Sequence, residues 1–157
     1  MPENKSKQPH AKQSLRVWIR MLRATTLIEK RIRSYLKGEF DSTLPRFDVL
    51  AALSREQAWV TMSELTAHLL VSNGNVTGLV NRLVEDGLIA RQVDPEDRRS
   101  QLVMLSPAGR AAFRDMAAAH EGLVDSFFAQ LSDEEMAALL TLTEKLNQTL
   151  HRQDDTA

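Results

Sequence analysis

The sequence predicts a mainly α-helical fold with one small β-hairpin, and two observations support this. Apolar residues recur at the period of an amphipathic helix along most of the 157-residue chain. The period changes only at two short β-prone runs, "LIARQV" (88–93) and "SQLVML" (100–105), which flank the polar turn "DPEDRR" (94–99).

The N-terminal part is predicted to hold a tail and a long helix. Residues 1–12 are polar, basic and without a period, and we expect them to be a disordered tail. The segment 13–40 is expected to form one helix that ends near Gly38. One face of this helix carries Leu15, Trp18, Ile19, Leu22 and Thr26.

Three shorter helices are expected next. "LPRFDVLAAL" (44–53) has Pro45 near its first turn, where a missing N–H costs least, and "VTMSELTAHLL" (60–70) opens with a capping box from Thr61 to Glu64. "SNGNVTGLVNRL" (72–83) should begin at Ser72 as N-cap and stop at Gly87. Its apolar face, at helical spacing, is formed by Val76, Leu79, Val80 and Leu83.

Two long helices are expected after the hairpin. "SPAGRAAF" (106–113) restarts the helical period with Ser106 as N-cap and Pro107 as the first helical residue, and this helix should reach about residue 130. "SDEE" (132–135) is a further capping box, and the last helix should end near Leu150, leaving 151–157 as a tail.

Composition excludes several classes of protein. The hydrophobic and charged fractions, 43% and 26%, are those of an ordinary globular protein, and no apolar run approaches the ~20 residues of a membrane span. The first residues lack the apolar core of a signal peptide, so we expect a cytoplasmic protein. The chain has no Cys, and its four His show no metal-ligand or catalytic spacing. We therefore expect no enzyme activity, no metal and no cofactor.

Charge is distributed unevenly along the chain. Residues 1–37 carry ten Lys and Arg against two Glu, a net +8, and residues 111–157 carry three basic against nine acidic residues, a net −6. This indicates that one part of the molecule meets an anion, although uneven surface charge alone is the alternative. The long apolar faces at both ends of the chain predict a homodimer; the alternative is that they pack on each other within one subunit.

Helix, turn, helix and a two-stranded hairpin follow each other in the order of a winged helix-turn-helix. In this block the chain resembles the MarR (multiple antibiotic resistance regulator) family of bacterial regulators, most closely over residues 62–109. The resemblance is carried by the succession "RLVEDGLIAR", "DPEDRR" and "LSPAGR" and by Leu65, Val71, Ser72, Val76, Thr77, Leu79, Val80, Arg82, Leu83, Gly87, Leu88, Ile89, Asp97, Arg98, Arg99, Leu105, Ser106 and Gly109.

The resemblance implies a winged helix-turn-helix with long N- and C-terminal dimerisation helices. Residues 13–40 and 106–150 would then be dimerisation helices on either side of a DNA-binding domain, 41–105. It implies a ligand-responsive transcriptional regulator: a homodimeric repressor of a pseudo-palindromic operator on double-stranded DNA. A small organic anion, bound where the dimerisation and DNA-binding regions meet, would release it. The alternative function is a helical interaction module without specific DNA binding.

The candidate DNA-binding residues lie on the outer face of 72–83 and in the hairpin. Polar side chains on that face suit base edges or phosphates, and hairpin guanidinium groups suit phosphates or a narrow minor groove. The resemblance implies that Asp97 braces a wing arginine, with Arg99 as the groove reader, although "DPEDRR" could also be a solvated loop. The predicted set is Ser72, Asn73, Gly74, Asn75, Thr77, Gly78, Asn81, Arg82, Arg91, Asp97, Arg98 and Arg99.

The block departs from the family pattern in three ways. Relatives often carry Arg, Ser or Thr at the positions of Asn73, Gly74 and Gly78, and Gly at the position of Leu70. Residues 54–110 hold six Arg against seven acidic residues, which predicts modest non-specific DNA affinity. Since each glycine should cost about 1 kcal/mol in a helix, we interpret Gly74 and Gly78 as sites where the backbone approaches DNA closely.

The first helix suggests a ligand site. Arg16, Arg20 and Arg23 form a ridge at i, i+4 and i+7 beside Trp18 and Met21, which would suit an organic anion at the mouth of an apolar pocket. A solvated basic face or phosphate contacts to DNA are the alternatives. "SNGNVTGLV" is also similar to family members that control catabolism of aromatic compounds, so the expected effector is an aromatic carboxylate or its CoA thioester.

Overall fold

A computed structural model of the protein describes residues 7–69 and 75–154. The elements, in chain order, are α1 Lys7–Phe40, α2 Leu44–Arg55, β1 Val60–Thr61, α3 Met62–His68, α4 Val76–Glu85, β2 Ile89–Val93, β3 Gln101–Leu105, α5 Pro107–Phe128 and α6 Asp133–Asp154. The predicted fold class, mainly helical with a small hairpin wing, is confirmed. The chain forms two compact units that divide within α5 after His120, and α1 to β3 belong to the first.

The hairpin is part of a three-stranded antiparallel sheet. β3 lies in the centre, with β2 on one side from Ile89↔Leu105 to Val93↔Gln101 and the two-residue β1 on the other. The sequence analysis missed β1 because two residues are too few to show an alternating pattern. Val60 pairs with the buried Val103, so β1 connects the start of α3 to the wing.

The core of the first unit is aliphatic and joins the helices to the sheet. Side chains from α1, α2, α3, α4 and β3 are less than 2% exposed: Leu36, Val49, Leu50, Leu53, Leu65, Val80, Leu83, Val103 and Leu105. Two of the four residues predicted for the apolar face of α4 are in this set, and the other two are half-buried. Burying each such side chain contributes about 1.5–3 kcal/mol, which fixes α4 against the unit by its inner face.

Local signals set most helix starts as expected. Glu64 accepts from the Thr61 backbone N–H at 2.7 Å, while Thr61 Oγ1 accepts from Glu64 N–H at 3.2 Å. The same reciprocal pair joins Ser132 and Glu135 at the start of α6. Ser106 caps α5 by accepting from Gly109 N–H at 2.9 Å. These caps work within four residues, so the sequence was enough to predict them.

Both ends of α1 differ from the prediction. The helix already includes residues 7–12, so the disordered-tail prediction is wrong for them. Pro9 lies in the first turn of the helix, where a backbone N–H would have no intrahelical acceptor, so its missing N–H costs no hydrogen bond. At the other end the helix continues through Gly38 to Phe40. The left-handed residue that ends it is Asp41, with φ of 44°, whose carboxylate pairs with Lys37. Residues 1–6 lie outside the described part of the chain.

Two further helix boundaries need correction. α6 continues to Asp154, past the predicted end near Leu150, because residues 151–154 include no helix breaker. α4 begins at Val76 with Asn75 as N-cap; Ser72, which was predicted to cap this helix, lies outside the described residues. Gly87 does end α4 as predicted, with φ of +73°. Within residues 7–69 and 75–154, no helix has the length and apolar character needed to cross a membrane.

Candidate nucleic-acid interface

The outer face of α4 is polar and is accessible to a partner. Asn75, Thr77 and Arg82 are exposed, and Gly78 and Asn81 are half-buried. The opposite face is held by Val80 and Leu83, at 1% and 0% exposure. Three other predicted DNA-binding residues, Ser72, Asn73 and Gly74, lie outside the described residues. The described part of α4 therefore presents a polar surface on a rigidly packed helix.

Asn75 gives Gly78 a structural role. The Asn75 side chain caps α4 by accepting from the Gly78 N–H, with 2.8 Å between Oδ1 and N. A Cβ at position 78 would lie 2.5 Å from Asn75 Nδ2 and 2.8 Å from Oδ1, closer than real contacts allow. The asparagine amide thus covers the place where a side chain would stand, which explains the glycine without reference to DNA.

A hydrogen bond joins α4 to the wing. Arg91 on β2 donates from Nη1 to Oδ1 of Asn81 over 2.6 Å. Both residues were predicted as DNA contacts, but their partnership was not predicted. Ten residues and a change of secondary structure separate them, so no helical or strand period relates them.

The wing tip is organised by two aspartates. Asp94 Oδ1 accepts from Glu96 N–H at 2.9 Å, and Asp97 Oδ1 accepts from Arg99 N–H at 3.0 Å. The carboxylate of Asp97 therefore contacts the main chain of Arg99. The side chains of Arg98 and Arg99 are exposed and form no ion pair with any residue that the structure describes. Two guanidinium groups are presented at the end of a fixed turn.

The C-terminal end of α4 is held by α2 and by the start of α5. Arg46 of α2 pairs with Asp86, the C-cap of α4, at 2.7 Å. The Gly87 carbonyl accepts from Ser106 Oγ at 2.6 Å, and the Leu88 carbonyl accepts from Ser106 N–H at 3.1 Å. These contacts form a clamp that holds the C-terminal end of α4 at the turn that leads into β2. The sequence analysis did not identify the Arg46–Asp86 part of this clamp.

A cavity of about 390 Å³ lies among α2, α3 and α5. Phe47 lies 5.6 Å from Phe113 and 4.8 Å from His120, measured between ring centroids. Burial lowers the pKa of His120, so its neutral ring is favoured. The cavity is lined by Leu44, Phe47, Asp48, Ala51, Ser54, Arg55, His68, Phe113 and His120.

Asp48 is the unusual group in this cavity. Its Oδ2 atom is buried and has no hydrogen-bond partner among the described residues. Burial raises the pKa of the Asp48 carboxyl above its ordinary value, because the charged form loses hydration. A buried acceptor without a partner is costly, so a ligand that carries a donor would stabilise this group.

A wider cleft of about 760 Å³ adjoins the cavity through Ser54 and Phe113, which line both. Arg110 and Arg114 stand one turn apart on α5 and give the cleft two cations; Gln57 and Ala117 complete its lining. The two spaces together offer an aromatic interior and a cationic entrance, a combination suited to a ring with an anionic substituent.

The residues proposed from sequence as a ligand site line neither of these spaces. Arg16, Trp18, Arg20 and Arg23 are exposed along α1, and Met21 is half-buried. The sequence analysis missed the cavity residues, although an acidic residue inside the apolar run "FDVLAAL" (47–53) was an available signal. Among the described residues, no three His, Asp or Glu side chains are grouped as a metal site would require.

Comparisons with known proteins agree with this geometry. A family model described as the MarR family matches residues 40–100. The structure is similar to that of BpsR from Bordetella bronchiseptica, whose DNA binding is regulated by 6-hydroxynicotinic acid. The identity is 30%, with 84% of this chain and 98% of that one covered, and the TM-score is 0.71.

Two further relatives extend the comparison. A MarR family transcriptional regulator from Streptomyces coelicolor, solved in complex with DNA, has the same fold with a TM-score of 0.76. It is 24% identical, with 89% of this chain and 88% of that one covered. The transcriptional activatory protein BadR of Rhodopseudomonas palustris is 34% identical over 104 residues, which are 65% of this chain and 59% of BadR.

Proposed function

Because the chain belongs to the MarR family of transcriptional regulators, we propose that it is a homodimeric repressor of a pseudo-palindromic operator, released by a small organic anion. Like its relatives, it is a DNA-binding transcriptional regulator and not an enzyme. The observation that carries the proposal is the arrangement of α4 and the wing. The polar face of α4 is accessible, and so are Arg98 and Arg99 of the wing. α4 and the wing belong to one packed unit.

DNA binding follows from that arrangement. α4 has the length and the polar face to lie in a major groove, while Arg98 and Arg99 on the wing would contact phosphates or the adjacent minor groove. The block 54–110 has a net charge of −1, so affinity depends on a few well-placed arginines. We propose that the protein acts in the cytoplasm, where such an operator is accessible.

Fluorescence anisotropy with duplexes from the promoter next to the protein's own gene tests this, at two salt concentrations. We expect saturable, salt-sensitive binding. Arg99→Ala should lower the slope of log affinity against log salt by about two, one phosphate contact in each protomer. Lys145→Ala removes the same charge from α6 and should leave the slope unchanged. Absence of binding to every duplex from the locus would favour the interaction-module alternative.

The homodimer is supported by large apolar side chains that are exposed along α1 and along α6. α1 exposes Leu15, Val17, Trp18, Ile19, Leu22 and Leu27, and α6 exposes Leu139, Leu140, Leu142, Leu146 and Leu150. Trp18 is 57% exposed and Leu140 is 65% exposed. Isolated exposed leucines are ordinary, but runs of them along a helix face indicate a protein interface.

Sedimentation velocity tests the dimer. Wild type is expected to sediment as a dimer at micromolar concentration, and Leu140→Asp should shift it towards monomer because a charge would be buried. Thr141→Asp introduces the same charge on the same helix, on the side opposite to the leucine set, and should keep the dimer. Since one operator half-site binds each protomer, Leu140→Asp should also weaken operator binding. A monomeric wild type would contradict the proposal.

We place the effector in the cavity among α2, α3 and α5. An aromatic ring would pack against Phe47 and Phe113, and a ring hydroxyl or N–H would donate to the unpartnered Asp48. A simple carboxylate would pair with Arg55 at the wall of the cavity, whereas the phosphates of a CoA thioester would reach Arg110 and Arg114 in the adjoining cleft. The 6-hydroxynicotinic acid response of BpsR supports an aromatic acid of this kind.

Release of a labelled operator by aromatic carboxylates and by their CoA thioesters separates these cases. Arg55→Ala should abolish the response to a free carboxylate, and Arg114→Ala should weaken only the response to a thioester. Arg20→Ala tests the α1 ridge predicted from sequence. If Arg20→Ala alone abolished release, the effector site would lie at the ridge and not in the cavity.

A further inference from the structure

The two asparagines on the described outer face of α4 carry both kinds of hydrogen-bonding group. An asparagine amide has one acceptor oxygen and an NH₂ group with two donors. When both ends are available, Asn pairs with adenine by accepting from N6 and donating to N7. Which end of each amide is already engaged within the protein therefore affects which bases the helix selects.

In Asn81 the acceptor end is engaged. Arginine has only donors, so the atom 2.6 Å from Arg91 Nη1 must be the amide oxygen. A flipped amide would place NH₂ against a guanidinium, donor against donor. The orientation of the Asn81 side chain is thus determined by chemistry, and the NH₂ group is the end left for another partner.

Arg91 is held in place for this contact by the sheet. It pairs with the buried Val103 in the β2–β3 ladder, and residues paired in this way project from the same face. Ile89, two residues earlier in β2, is also buried on that face. Arg91 is itself exposed, so its side chain leaves the strand on this face at the edge of the core and reaches Asn81 of α4 there.

The side-chain amide of Asn75 is independently oriented in the same way. Its Oδ1 is engaged by the Gly78 N–H at 2.8 Å, and its Nδ2 lies over the glycine, 2.5 Å from where a Cβ would be. Both asparagines thus direct their oxygen to the protein, one to a helix N-terminus and the other to a guanidinium. In both amides the NH₂ group is the end that is left for another partner.

We propose that Arg91 is a specificity-determining residue: by engaging the Asn81 oxygen it fixes the amide with its NH₂ group towards the bases, so that α4 selects guanine at the base Asn81 faces. Guanine presents two acceptors, O6 and N7, in the major groove. Thymine presents only one, O4, beside its methyl group, and adenine and cytosine each present a donor there that would need an acceptor. The inference rests on the proposed DNA-binding function, and it assigns to Arg91 an effect on base choice beyond phosphate attraction.

Selection from a randomised duplex library, with the full-length protein, tests this. Wild type should enrich guanine at one position in each half-site. Arg91→Met frees the amide, so adenine should become acceptable there and the preference for guanine should fall about tenfold. Arg91→Lys keeps a charged donor and should keep the preference. Gln92→Met, at the neighbouring position of β2, should leave the motif unchanged.

A substitution at Asn81 gives a second measurement. Asn81→Asp keeps an acceptor for Arg91 but removes the NH₂ donors, so it should lose the guanine preference while remaining folded by circular dichroism. An enriched motif that stays the same in Arg91→Met, with uniformly weaker binding and a smaller salt slope, would show that Arg91 only anchors a phosphate and would overturn the inference. If folded wild type enriched no sequence, the proposed function itself would fail.

Discussion

Replacing Gly109 by alanine is expected to destabilise the protein, although alanine is the better helix former. Gly109 is the third residue of α5 and is buried against the turn that follows α4. A Cβ at this position would lie 1.9 Å from the Leu88 carbonyl oxygen and 2.9 Å from its carbonyl carbon. Ordinary contact begins at 3.4 Å, so two stretches of backbone would have to separate by about 1.5 Å.

The size of the effect follows from what this separation breaks. The hydrogen bonds from Ser106 to the carbonyls of Gly87 and Leu88 would be lost, at about 1 kcal/mol each. Overpacking against backbone adds about 1–3 kcal/mol, and the gain in helix propensity offsets about 1 kcal/mol. The net loss is therefore about 2–4 kcal/mol, which corresponds to a fall in Tm of roughly 5–15 °C.

Gly122 provides the matched control on the same helix. A Cβ at this position meets nothing within 4 Å, so Gly122→Ala should raise stability by about 1 kcal/mol. Both variants would be followed by thermal and urea denaturation with circular dichroism, at one fixed protein concentration because the proposed dimerisation would make Tm depend on concentration. Because the turn after α4 positions that helix, Gly109→Ala should also weaken operator binding in the anisotropy assay. Equal stabilisation by both substitutions would refute the proposed clash.

Three further predictions concern α2 and α4. Arg46→Met and Asp86→Asn, combined in a double-mutant cycle by urea denaturation, should show a coupling of about 1 kcal/mol, since the pair is only partly exposed; additive effects would exclude it as a clamp. Gly78→Ala should give no net gain in stability, because about 1 kcal/mol of helix propensity is offset by loss of the Asn75 cap, and a gain equal to that at Gly122 would contradict this. Asp48→Asn should stabilise the protein at pH 7, since the raised pKa means that the folded state disfavours the ionised carboxyl. The difference from wild type should shrink as pH falls from the raised pKa towards 3.8, and a pH-independent difference in urea denaturation would argue against it.

Features that depend on neighbouring residues were predictable from the sequence. The capping boxes at Thr61 and Ser132 need only a hydroxyl and a glutamate three residues apart, and the structure has both. The hairpin followed from the change of apolar period, and the stop of α4 followed from Gly87. The recognised order of these elements was sufficient to predict the winged helix-turn-helix and the family.

Local competition between similar signals was harder to predict. "SNGN" (72–75) offers three residues that can cap a helix, and the structure starts α4 at the last of them, where the amide also packs over Gly78. Residues 7–12 were expected to be disordered because they show no apolar period, and Gly38 was expected to end the first helix. Pro9 nevertheless lies in a permissive first turn, and Gly38 is tolerated at an exposed position. Helix propensity changes stability by only about 1 kcal/mol for a glycine, so contacts with neighbouring residues can outweigh it.

The sequence by itself therefore determined most of the helices, the wing and the family, and it predicted the surface that we propose to face DNA, because apolar periodicity and caps act within a few residues. Only the tertiary structure decided the partnerships. Arg91 with Asn81, Arg46 with Asp86, and Asp48 with Phe113 and His120 of the cavity are groupings of residues that no period relates, up to 72 positions apart. Such contacts depend on how packed elements place side chains in space, which is why the partnerships that should tune base choice and effector response emerge only from the folded chain.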